Sequence, residues 1–214
     1  MKRNDVIIIS SIIVFLTFLV VPVTHRIVFG LSDDYPIIGG FIKFFLLASL
    51  GDLISHRIIH KNYQVKGMIY KALIWGIIGV IIVLVFPLYF TGVQHLQESG
   101  LLPFAQVALV TALLTSVLMN ITFAPTMMAF HRITDHYIEH RIDDSMHRLK
   151  TSINAIDWGR FVDQVVFKTI PLFWIPAHTI TFMLPGVYRV LFASFLGIAL
   201  GLFLGLAKSK PRKV

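Results

Sequence analysis

Apolar residues in this chain come as long, mainly apolar runs rather than at the alternating or three-to-four-residue spacing of a half-buried strand or a surface helix. The runs cover residues 6–23, 37–59, 69–93, 104–130, 161–184 and 187–207. A helix needs about 20 apolar residues to cross a bilayer core of about 30 Å. The pattern therefore predicts an all-α, polytopic membrane bundle, with six transmembrane helices in one transmembrane domain over residues 1–214. Residues 6–23 look like a secretory signal. However, Pro22, Thr24, His25 and Arg26 stand where a small-x-small cleavage site would be, so the run is read as a retained helix. Between the fourth and fifth runs the period changes. Ile138, Ile142, Met146, Leu149, Ile153 and Ile156 fall within about 80° of one another on a helical wheel. This predicts an amphipathic helix over residues 134–156, lying on the membrane surface in a long inner loop.

Composition agrees. Of 214 residues, 56% are hydrophobic and 14% charged, with mean hydropathy +0.79. A soluble domain carries about 25% charged residues. The absence of cysteine excludes disulfides, thiolate metal sites and a cysteine nucleophile. A net charge of +8 would suggest nucleic acid in a soluble chain; here the basic residues set topology, and the expected partner is the lipid bilayer. With the N-terminus inside, fifteen of the nineteen Lys and Arg residues fall in inner segments. Arg26 and Arg189 fall in outer loops, and Lys43 and Lys168 within spans. This asymmetry predicts both termini on the cytoplasmic side.

The stretch 161–190 organises the chemistry. It is apolar enough to enter lipid, yet it carries Asp163, Gln164 and Lys168, then Pro171, Pro176 and His178. Ionisable groups in a bilayer should face protein or water and find partners. Asp52 lies deep in the second run, and Asn120 and Pro125 mark the fourth as a second wall. Asp52, His56, Asn120, Asp163, Gln164 and Lys168 are thus the candidates for a polar cavity or pore. An Asp52–Lys168 ion pair and a cavity lined by both are the two accounts of that pair. His56 and His60 share a helix face, which suits either a helix-end hydrogen-bond network or a proton-sensitive inner mouth.

His136, His140, Asp143 and His147 form one stripe at i, i+4, i+7 and i+11. The spacing could hold a metal, but the stripe lies away from the apolar face and also reads as a solvated helix surface. Neither metal nor cofactor is expected. Gly197, Gly201 and Gly205 recur every four residues in the last run and allow close helix packing, either within the subunit or across a homo-oligomer seam.

Several of these marks together resemble a family. Gly51-Asp52-Leu53-Ile54-Ser55 resembles the GDLISQ signature of the Mpv-seventeen and twenty-two-kilodalton peroxisomal membrane protein family. Phe123-Ala124-Pro125, Trp158 before a polar-start helix, Phe173-Trp174-Ile175-Pro176 and Tyr188-Arg189-Val190 follow in the family's order. The resemblance spans residues 41–207. His56 stands where the family has glutamine, and the glycine repeat replaces its tryptophan-asparagine pair. The resemblance implies a channel-like pore for small metabolites, as in the family's mitochondrial and peroxisomal members. The short basic N-terminus places this relative in a prokaryotic plasma membrane, with an organellar membrane as the alternative.

The expected function is therefore a channel-like or transport-related membrane protein for a small solute, without catalytic chemistry. A histidine-rich membrane metalloenzyme and a structural or stress-linked component acting through partners are the competing readings. Metal content separates the first of these, and a packed interior without a cavity the second.

Overall fold

Proline opens the first described helix. In α1 (Pro36–His60), Pro36 occupies the first turn, where a missing N–H leaves nothing unpaired. The helix ends at Lys61, whose left-handed backbone (φ 60°) returns its N–H to Arg57 O. The structure, a computed structural model, describes Ser10 and residues 34–209, with side chains to residue 200. Apart from Ser10, the expected first span, residues 6–23, lies outside these. Every regular element among the described residues is helical, as the apolar runs require.

Helix α2 (Met68–Glu98) starts from Gly67 at φ +67°, a conformation that favours glycine. A side chain at this position would also collide with Ile138 and Ile142 of α4, which cover it. Helices α3 (Ala108–Thr122) and α4 (Ala124–Asp143) meet at Phe123 with a 47° bend. Pro125 sits in the first turn of α4, and its missing N–H prevents the α3 ladder from continuing. After α5 (Leu149–Ala155), the rod Trp158–Met183 begins as α6 (Trp158–Phe161), capped by Asp157, which accepts from Arg160 N. It then widens into a π-helix over Val162–Trp174 and narrows to α7 (Ile175–Met183). The last helix is α8 (Gly186–Ser209).

Three of these elements are long and apolar enough to cross a membrane: α1, α2 and the rod Trp158–Met183. The bent α3–α4 pair makes up to a fourth. This corrects the expectation of six among the described residues. The run 104–130 is broken at Phe123, and the described apolar part of α8, Gly186–Leu200, is shorter than a span. The single amphipathic helix expected over 134–156 is also corrected, because it divides in two. Asp144 takes an extended backbone (φ −129°, ψ 105°), and its Oδ1 accepts from Met146 N at 2.8 Å. Short acidic side chains bond neighbouring backbone in this way and compete with the helix.

Helix α1 is the hub, packing most extensively on α8 and α2, while α3 packs on α7. Two glycine crossings bring α1 close to its neighbours. A Cβ on Gly79 would overlap Gly40 O, and one on Gly51 would lie 2.9 Å from Ile198 N and 3.0 Å from Gly197 C. Gly197 thus packs within the subunit. Phe44, Ile78, Ile82, Phe86, Met119 and Phe182 fill the core between α1, α2, α3 and α7.

Candidate functional site

Beside the aromatic core, the helices line a half-open cavity of about 660 Å³. Asp52 of α1 lines it on one side. Trp75 of α2 donates its Nε1–H to Asp52 Oδ2 at 2.7 Å. The same indole lies against His131 of α4, with ring centroids 4.2 Å apart. His131 Nε2 is 3.9 Å from Asp135 Oδ1, and Lys71 Nζ reaches Asp135 at 3.8 Å and Glu139 at 2.5 Å. Lys71 is itself buried, so its two carboxylates balance a charge removed from water. A polar chain thus runs from Asp52 through Trp75 and His131 to the Lys71 ion pairs, joining α1, α2 and α4.

The opposite wall comes from the rod. Its π-helical register is written in its hydrogen bonds: Ile175 N donates to Ile170 O, and Thr169 Oγ1 donates to Gln164 O at 2.8 Å, both five residues back. Pro171, inside the stretch, has no N–H to donate. At the return to α-helix, Ile175 O accepts from Ser116 Oγ at 2.7 Å and Thr179 Oγ1 at 2.8 Å. This register puts Gln164, Trp174 and His178 on the cavity. Trp174 stacks on His178 with centroids 5.2 Å apart. Behind His178 sits Asn120, fully buried, with its Nδ2 3.0 Å from His178 Nδ1 and donating to Ser116 O at 2.8 Å.

Four buried side-chain polar atoms among the described residues make no hydrogen bond: Ser49 Oγ, His131 Nε2, His136 Nδ1 and Trp174 Nε1. The last three belong to residues lining this cavity. Leaving such an atom unpaired costs about 1–3 kcal/mol. These atoms have almost no exposed area, so an occupant of the cavity would reach them only after the side chains shift. Arg132 and Arg160 also line it and supply positive charge.

Of the six candidates for a polar cavity or pore, Asp52 and Gln164 line the cavity directly. Asn120 supports the wall from behind. His56 sits off the cavity in a helix-end network, with Nδ1 3.1 Å from Asn62 O and its ring stacked on His60 at 4.4 Å. The expectations for Asp163 and Lys168 are corrected. They pair with each other at 2.8 Å, both more than half exposed, and Gln164 Nε2 also donates to Asp163. Lys168 therefore neither bonds Asp52 nor lines the cavity. Asp143 leaves the histidine stripe to pair with Lys66. Trp75, His131 and Trp174 were missed as cavity residues. The one available signal was His131 placed i, i+4 from Asp135.

A second depression, about 570 Å³, lies near the far end of α2. Its buried polar groups are already bonded. Gln97 donates to Pro103 O and Phe104 O and accepts from Thr111. Arg189 donates to Leu184 O and Phe182 O, with its guanidinium 3.8 Å over the Phe90 ring.

The chain matches no protein-family model, no curated protein and no solved structure. The functional reading therefore rests on the cavity.

Proposed function

We propose that this chain is an integral membrane protein that takes a small solute into the Asp52 cavity, in a channel-like or transport-related role without catalytic chemistry of its own. The observation that carries the reading is one cavity between apolar helices that is lined by Asp52, His131, Trp174 and two arginines. The solute class that fits is compact, with hydrogen-bonding groups toward Asp52, Arg132 and Arg160 and an apolar part toward Phe44, Ile78 and Met119. Helices interrupted by prolines, beside ionisable groups inside apolar segments, suit a solute path.

Kinship with the Mpv-seventeen family is part of the proposal. Six of the sixteen residues carrying the resemblance line the cavity: Gly51, Asp52, Ser55, Phe123, Ala124 and Trp174. In this reading the membrane is a prokaryotic plasma membrane with both termini cytoplasmic. The basic residues Lys66, Lys71, Arg132 and Arg160 then mark the cytoplasmic side.

Reconstituted protein in proteoliposomes loaded with small polar metabolites tests this. Asp52→Asn should lower solute efflux about tenfold, the worth of one hydrogen bond of about 1.4 kcal/mol. Efflux from wild-type vesicles no faster than from empty ones would sink the proposal and favour a structural component.

A further inference from the structure

The break at Asp144 has a second effect. It turns the chain back so that His147, from the turn, meets His136 and His140 near the end of α4. In each of the three residues one ring nitrogen lies within 4.8 Å of those of the other two. The His136 and His140 rings stack at 4.0 Å and 17°. His147 stands 5.2 Å from His140 and 6.2 Å from His136, ring centre to ring centre. A straight helix over 134–156 would have placed His147 two turns beyond His140; the fold puts it alongside.

The hydrogen bonds behind these rings leave their other nitrogens available. His140 Nδ1 is 2.8 Å from His136 O. A carbonyl only accepts, so Nδ1 carries the proton and Nε2 keeps its lone pair. His147 Nε2 bonds Oγ of the fully buried Ser152 at 2.7 Å, which orients the ring and leaves Nδ1 uncommitted. His136 Nδ1 is buried and makes no hydrogen bond. An outer bond that fixes tautomer and aims the other nitrogen is the arrangement that stands behind metal-bound imidazoles. The neighbouring carboxylates are occupied elsewhere, Asp143 by Lys66 and Glu139 by Lys71.

We propose that His136, His140 and His147 form a binding site for a divalent transition-metal ion, with zinc the best fit. Three neutral imidazoles suit zinc, copper or nickel, and a site of three protein ligands leaves a coordination position to water or another ligand. Zn–N bonds of about 2.0–2.1 Å at tetrahedral angles bring the nitrogens to about 3.4 Å apart. The rings must close by roughly that difference, and the exposed His140 is free to swing inward. His136 also lines the Asp52 cavity, so an ion here borders it. The inference does not rest on solute passage, and either can fail alone.

Full-length, tag-free protein in detergent micelles, stripped with chelator and titrated with Zn²⁺, is the test. About one ion per chain should bind, and Co²⁺ should give the visible absorption of a low-coordinate nitrogen site. His140→Gln and His147→Gln should each weaken Zn²⁺ binding roughly 100-fold or more, and Ser152→Ala about tenfold through loss of the orienting bond. Asp143→Asn and His60→Gln should leave it unchanged. Circular dichroism checks that each variant folds, and the wild-type titration decides by itself if they do not. No stoichiometric Zn²⁺ in the wild type, or undiminished binding in the His140→Gln/His147→Gln double variant, would overturn the site.

Discussion

The two ends of α2 handle buried polarity in opposite ways. Near Phe90 the Arg189 guanidinium is enclosed by Phe182 O, Leu184 O and an aromatic face, and Gln97 has partners for both ends of its amide. Fifteen residues away, about 22 Å along a helix, Trp75 holds Asp52, but the surrounding His131, His136 and Trp174 keep nitrogens unpaired. One end has every buried group bonded inside the protein, as a packed structure requires. The other leaves bonding capacity around a cavity. The difference teaches where to look: Arg189 is not the functional cation, because its bonds are already made.

Substitutions can break or sharpen this contrast. The largest loss of stability should come from Arg189→Met, which strips two carbonyls of their donor and removes the contact with Phe90. Denaturation in micelles should show a loss of about 2–4 kcal/mol, with solute efflux per folded molecule intact. Asp52→Asn should do the reverse, because asparagine still accepts from Trp75 Nε1–H. Its stability should change by less than about 1 kcal/mol, while efflux falls. Trp174→Phe removes an unpaired buried N–H, so thermal stability should hold or rise slightly, by up to about 1 kcal/mol. Solute affinity, read by titration of the same protein, should drop a few-fold. The smallest effect belongs to Lys168→Met. This residue is exposed and paired only with Asp163, so neither melting temperature nor efflux should move. A loss of efflux there would put Lys168 back on the solute path.

The long rods were legible because length and apolarity carry the signal. The runs 37–59, 69–93 and 161–184 became Pro36–His60, Met68–Glu98 and Trp158–Met183. Asp52 was legible for the same reason, as a charge deep in such a run. The breaks at Phe123 and Asp144 were not, since they depend on one missing amide hydrogen and one short acid bonding its own backbone, which periodicity does not register. The partner of Lys168 was not legible because it depends on helix geometry. In an α-helix, positions five apart stand about 140° apart around the axis. In the π-helical stretch they lie about one turn apart, so Asp163 takes the lysine for which an ion pair with Asp52 was one of the two accounts. The Trp75–His131 contact joins residues 56 positions apart, and no local pattern announces it.

That wide coil makes the cavity sensitive to spacing as well as to composition. Rewinding the segment to i→i+4 bonds with every residue kept would turn everything beyond it about the axis, because each α-helical residue advances about 100° and each residue of the wider coil less. Trp174 and His178 would then swing off the cavity with their own chemistry untouched. In this protein the pitch of one segment can therefore matter as much as the identity of a side chain.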